Sequence, residues 1–136
     1  MTKKIDFIVF AAPRTGSNHL VSLLNSHPNC TCHGEIFRPL FKPSSKIDKA
    51  LKKWDGGKAR FIRPEKFISE IKSKSSKQTY SFGYKLFLNH FMLISSDVFL
   101  KVDKVIYLSR ENMLARYSSM LTAKVSGQGA LKSKDK

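Results

Sequence analysis

The apolar residues of this chain fall in short unbroken blocks that alternate with stretches of helical spacing, the pattern of strands followed by helices. The first block, Phe7, Ile8, Val9, Phe10, Ala11 and Ala12, is apolar at every position and reads as a strand covered on both faces of a parallel sheet. Pro13 stops it. After Gly16, Ser17 and Asn18 suit a helix start, and Leu20, Val21, Leu23 and Leu24 set an apolar face at helical spacing.

The same alternation recurs further along. TCHGEIF at 31–37 is a short second strand or the edge of a cleft, preceded by the break His27-Pro28-Asn29. Pro39 and Pro43 keep the next segment irregular. Helices are expected at 45–53 and 64–74, the second with Pro in its first turn and Phe67, Ile68 and Ile71 on one side. Beyond a polar Lys/Ser run come a strand at 80–87, a helix at 88–96, a strand at 104–108 and a helix from 111 to about 124. Strands alternating with helices predict an α/β domain over 1–124, a three-layer α/β/α arrangement of the P-loop type with a small, mainly parallel sheet. A polar tail at 125–136 follows, and there is no internal repeat. Three or four strands are few for an open sheet, which leads us to expect that a C-terminal portion of a larger domain is absent.

Composition narrows the partners rather than the fold. At 136 residues with 41% hydrophobic residues, the chain has the material for one packed core. Its formal charge of +15, from 25 Lys plus Arg against 10 Asp plus Glu, calls for anionic partners: nucleotides, nucleic acid, acidic glycans or membrane surfaces. Charge alone does not choose among them. Cys30 and Cys32 stand beside His33 with no second ligand pair, too few for a structural zinc site, and read as reduced thiols of an intracellular, cytoplasmic chain. MTKKIDFIVFAA imitates a signal peptide, but Asp6 breaks its apolar stretch, and Asn89, His90 and Asp97 interrupt the one at 86–100, so no membrane span is expected.

The junction after the first strand carries the clearest chemistry. A loop followed by a helix N-terminus offers free N–H groups and the positive end of the helix dipole, and Arg14, Thr15, Gly16, Ser17 and Asn18 line it. A phosphate is the natural ligand. A Walker A loop needs a Lys for the outer phosphates and a hydroxyl for magnesium. Here Ala11 occupies the position of the first glycine and Ser17 that of the lysine, which weakens an ordinary ATP or GTP reading. The segment VIYLSRENMLARYSSM repeats the architecture, with Arg110 at the exit of a strand and Ser118 eight residues further on in a helix. Ligands of open α/β sheets gather at the carboxyl ends of the strands, so two arginines there suggest two phosphates.

With these two segments the chain resembles the sulfotransferases that use 3′-phosphoadenosine 5′-phosphosulfate (PAPS), most nearly the bacterial type that includes the trehalose and nodulation-factor enzymes. APRTGSNHL is similar to the family's 5′-phosphosulfate loop, and Arg110 with Ser118 to its 3′-phosphate pair. Gly34-Glu35 and Gly83-Tyr84-Lys85-Leu86 resemble two further segments of those enzymes, and the likeness covers most of 5–124. The resemblance implies sulfuryl transfer to a hydroxyl, of a carbohydrate or glycolipid for example, without a metal and without specific nucleic-acid binding. It implies that Arg14 and the loop bind the phosphosulfate and stabilise charge on the bridging oxygen. It also implies that Arg110 and Ser118 hold the 3′-phosphate and that Glu35 takes the acceptor's proton, with His33 and His90 as rivals.

Family members are substantially longer, and their later part supplies further contacts to the nucleotide and the acceptor, so the expectation is a fragment, a reduced relative that needs self-association, or a protein that binds nucleotide without efficient transfer. Two alternatives remain at this stage. One is a divergent P-loop kinase using ATP, and the other is a non-enzymatic basic domain that binds nucleic acid or an anionic surface. Phe37, Phe41, Trp54 and Tyr84 could shape an acceptor pocket or belong to the core.

Overall fold

The computed structural model describes residues 4–38, 59–75 and 80–127. The unbroken apolar block becomes β1 (Ile5–Ala11), which takes an interior place in a four-stranded sheet. Its neighbours are β3 (Ser81–Phe87) on one side and β4 (Lys104–Leu108) on the other, and β2 (Cys30–His33) lies outside β3. Every pairing is parallel. β1 and β3 match along their full length, from Ile5 opposite Ser81 to Ala11 opposite Phe87.

Parallel neighbours require crossovers, and helices supply them. α1 (Ser17–Ser26) carries the chain from β1 to β2. α2 (Ala59–Ile62) and α3 (Pro64–Lys74) precede β3. α4 (Leu88–Phe91) and α5 (Ser96–Leu100) lie between β3 and β4, and α6 (Met113–Ser126) follows β4. The two-residue period of the strands divides the core between the two faces. Ile8, Phe82, Tyr84 and Leu86 pack with Phe67 and Ile71 of α3, Val98 of α5, and Ile36 and Phe37 beyond β2. Phe7, Val9 and Cys32 pack on the other face with Leu20, Val21 and Leu24 of α1. The α/β class expected from the alternating pattern is the fold observed.

Several boundaries differ from expectation, each for a local reason. The helix expected at 88–96 ends at Phe91, and α5 starts afresh at Ser96, where the Ser95 side chain accepts a bond from the Asp97 N–H at 3.4 Å. α6 starts two residues late, where Asn112 caps it by accepting from the Ala115 N–H at 2.9 Å, and runs to Ser126 before Gly127 closes it at φ 65°. α2 was not foreseen. The helix expected at 45–53, the aromatics Phe41 and Trp54, and residues 128–136 of the expected tail lie outside the described residues.

Cys30 and Cys32 are free thiols on the α1 face, and burial, with the neighbouring Cys30, pushes the Cys32 thiol up to about 12. Phe37 and Tyr84 belong to the core, their rings meeting edge to face at 5.9 Å. Among the described residues no helix is long and apolar enough to cross a membrane.

Gly83 leaves room for the ring of Phe7 on the neighbouring strand. A Cβ there would fall 2.3 Å from the ring of Phe7, its register partner in β1. Gly83→Ala should therefore cost about 2 kcal/mol by overpacking, read as a fall in the urea midpoint with an unchanged slope.

Candidate functional site

All strands point the same way, so the segments leaving β1, β2, β3 and β4 gather along one edge of the sheet. The first is the loop 12–16. Thr15 Oγ1 donates to the Ala12 carbonyl at 2.7 Å and closes it, which commits the Thr15 proton inside the loop. Arg14 has φ 64° and Gly16 φ 84°. The left-handed region is natural for Gly16 but costs a residue with a Cβ about 1 kcal/mol, so Arg14 is held there by its surroundings.

Gly16, rather than Ser17, is the N-cap of α1, and having no side chain it makes no cap bond of its own. The first helical bond runs from the Leu20 N–H to the Gly16 carbonyl at 3.1 Å. The N–H groups of Ser17, Asn18 and His19 thus precede the helical ladder and face the loop end. Ser17 is buried, while Asn18 and His19 are exposed.

A lysine from another strand completes this end of α1. Lys85 stands on the α1 face of β3, opposite Val9, and is only 2% exposed. Its ammonium donates to Asn18 Oδ1 and lies 3.0 Å from Glu35 Oε1, with the Phe87 ring 5.0 Å away. The turn that carries Glu35 is fixed to β3 by the bond from the Lys85 N–H to the Gly34 carbonyl at 3.2 Å. Glu35 remains a quarter exposed. The cation missing from the loop sequence is therefore supplied from β3, beside the first residues of α1.

The other wall is α6. Arg116 Nε donates to the Pro13 carbonyl at 3.0 Å, Arg14 Nε donates to Ser119 Oγ at 2.8 Å, and Arg110 Nη1 reaches the Arg14 carbonyl at 3.4 Å. Three guanidinium groups thus meet at one short loop. Of the expected pair, Arg110 comes to the loop, whereas Ser118 is exposed on α6 and its neighbour Ser119 bonds Arg14. Arg116 and Ser119 were missed by sequence reasoning. Their signal was weak, three residues apart on one helix face with nothing to say which face met the loop.

The two rival histidines separate. His33 lies on the opposite face of the sheet from Lys85, with Nε2 3.2 Å from Ser75 Oγ and its ring against Phe82. His90, at the exit of β3, is 2% exposed, stacks on Phe87 at 5.3 Å, and has no hydrogen-bond partner for Nδ1 among the described residues. Burial lowers its pKa below the usual imidazole value, against the opposing pull of Glu35. Among the described residues no cluster of three His, Cys, Asp or Glu could hold a metal ion. No family model, no curated protein and no solved structure matches the chain.

The Lys85–Glu35 pair is asymmetric, because Glu35 can reach water and Lys85 cannot. Glu35→Ala should cost about 3–5 kcal/mol by leaving a buried ammonium without a carboxylate partner among the described residues. Lys85→Met should cost clearly less, and paired urea titrations compare them. His90 gives a pH signature of known sign. Its folded pKa lies below the unfolded value near 6.5, so the unfolded chain binds the proton first and stability falls as pH drops through that window. His90→Gln should flatten the loss between pH 7 and 5, measured by thermal melts against the parent protein.

Proposed function

We propose that the protein binds PAPS at the carboxyl edge of the sheet and transfers its sulfuryl group to an acceptor hydroxyl. The observation that carries this reading is the buried Lys85 ammonium beside the start of α1, in front of a loop met by Arg14, Arg110 and Arg116. Free N–H groups, a desolvated ammonium and guanidinium groups are what a phosphosulfate needs, and they favour it most as charge builds on the departing oxygen. The likeness of APRTGSNHL and of the Arg110 and Ser118 spacing to the PAPS-dependent family supports the same ligand.

In this reading the acceptor oxygen attacks sulfur, and the bond from sulfur to the phosphate oxygen breaks. The bisphosphate leaves with the electron pair. Glu35 takes the hydroxyl proton on its second carboxylate oxygen, because Oε1 is engaged by Lys85. Lys85 fixes Glu35 and Asn18 together, so the base and the start of α1 keep one geometry. Arg110 and Ser118 take the 3′-phosphate, as the family likeness implies, Ser118 from its exposed position on α6.

Calorimetry with 3′,5′-bisphosphoadenosine, ADP and ATP tests the donor assignment. The bisphosphate should bind saturably and at least tenfold tighter than ADP or ATP, and Arg110→Ala should cost about tenfold, as expected for one charge-assisted contact. No saturable binding to folded protein would sink the proposal. Magnesium-dependent ATP binding without preference for the 3′-phosphate would point to phosphoryl transfer instead.

A further inference from the structure

β4 has the makeup of an interior strand but the place of an edge strand. Val105, Ile106, Tyr107 and Leu108 are apolar in succession, the pattern of a strand covered on both faces. Yet β1 is its one strand neighbour among the described residues, so the outer row of its backbone N–H and C=O groups has no ladder partner there. Edge strands of stable monomers are usually guarded by charges, a proline or a bulge. β4 carries a single lysine, at its first position, and Val105 and Tyr107 stand 44% and 71% exposed.

α6, which follows β4, has an open apolar side as well. Leu114, Tyr117, Leu121 and Val125 recur at intervals of three and four residues and form one stripe, and each is exposed. The stripe holds no charge, in a chain of formal charge +15. Arg116 and Ser119, which bond the loop 12–16, project from the opposite side of the helix, so the stripe turns away from that loop.

We propose that two copies of the chain join by antiparallel pairing of their β4 strands, centred on Ile106, into one continuous sheet with four strands from each copy. Such pairing keeps each α6 on the same face of the joined sheet, so the two helices come side by side and cover each other's stripes. A lipid surface could cover the stripes but offers nothing regular to the backbone row of β4, whereas a second strand satisfies it. The register suits a self-pairing strand. Val105 falls opposite Tyr107 of the second copy, an aromatic with a β-branched residue, and Lys104 falls opposite Leu108, so the two lysines do not meet. The area is also sufficient. The six exposed side chains of β4 and the stripe are 43–90% exposed. At ~200 Å² for a large side chain they offer on the order of 800 Å² per copy, the share of a standard interface. Ser118 stands at the margin of the stripe, and Lys85, Arg110 and the loop 12–16 lie outside it, so the dimer does not rest on the nucleotide reading.

Sedimentation velocity on the full chain across the micromolar range tests the proposal, and a concentration-dependent dimer is expected. Tyr107→Lys and Leu114→Lys, both at exposed positions, should each weaken it about tenfold with circular dichroism unchanged. Met92→Lys, at an exposed apolar position after α4, should leave it intact. Oxidation with diamide reads the register. Val105→Cys mixed with Tyr107→Cys should give a disulfide-linked dimer, and neither variant alone should, because like positions lie two residues out of register and beyond the ~7 Å that a disulfide spans between Cα atoms. A chain that stays monomeric throughout the range, or a dimer indifferent to both lysine variants, would overturn the proposal. So would cross-linking of either cysteine variant alone as strong as that of the mixture, or a monomer that moves to lipid vesicles through the same stripe.

Discussion

The burial of one ammonium group organises the carboxyl edge of this protein. Lys85 sits in the middle of an otherwise apolar strand, and taking its charge out of water is costly unless partners replace the lost hydration. Among the described residues three groups do so: the Glu35 carboxylate from the turn after β2, the Asn18 amide from the first turn of α1, and the face of Phe87. Because these come from different elements, satisfying Lys85 fixes where β2 ends and where α1 begins relative to β3. The position of the helix N-terminus, and with it the orientation of its free N–H groups, follows from that constraint.

The loop before α1 is held from the other side by polar contacts rather than by core packing. No residue of α6 is buried, and what ties its start to the loop are bonds through Arg116, Ser119 and Arg110. The left-handed Arg14 is the local cost of that arrangement. The two ends of the sheet thus differ in character. The carboxyl edge concentrates cations around a loop and a helix start, while an open cleft between α3 and the sheet, near the amino edge, is apolar and rimmed by the Lys72–Asp6 and Lys101–Glu65 pairs.

Much of the fold was legible because it rests on local pattern. The unbroken apolar run gave β1, helical spacing after Pro64 gave α3 with the bounds observed, and the 104–108 block gave β4. The expected helix at 88–96 ends at Phe91 instead, and the Ser95 cap starts a new helix within a stretch whose apolar spacing is continuous. Of the site, the loop 12–16 and Arg110 were legible because strand exits in a parallel sheet share one edge. Lys85 was left aside, although a lysine inside FGYKLF is an unusual choice for a buried strand. Its partners lie 50 and 67 residues away in sequence, and no local rule connects them.

The sequence by itself determined the alternation of strands and helices, the all-apolar central strand and the loop between β1 and α1, since each depends on residues within a few positions of one another. Only the tertiary structure decided that Lys85 faces α1, that Ser119 rather than Ser118 meets Arg14, that His33 and Lys85 lie on opposite faces, and that the Tyr84 hydroxyl is buried without a hydrogen-bond partner among the described residues. The physical reason is register. A strand's period of two assigns side chains to faces only once its partner is known, and a helix shows which of its residues meet a loop only once it has docked.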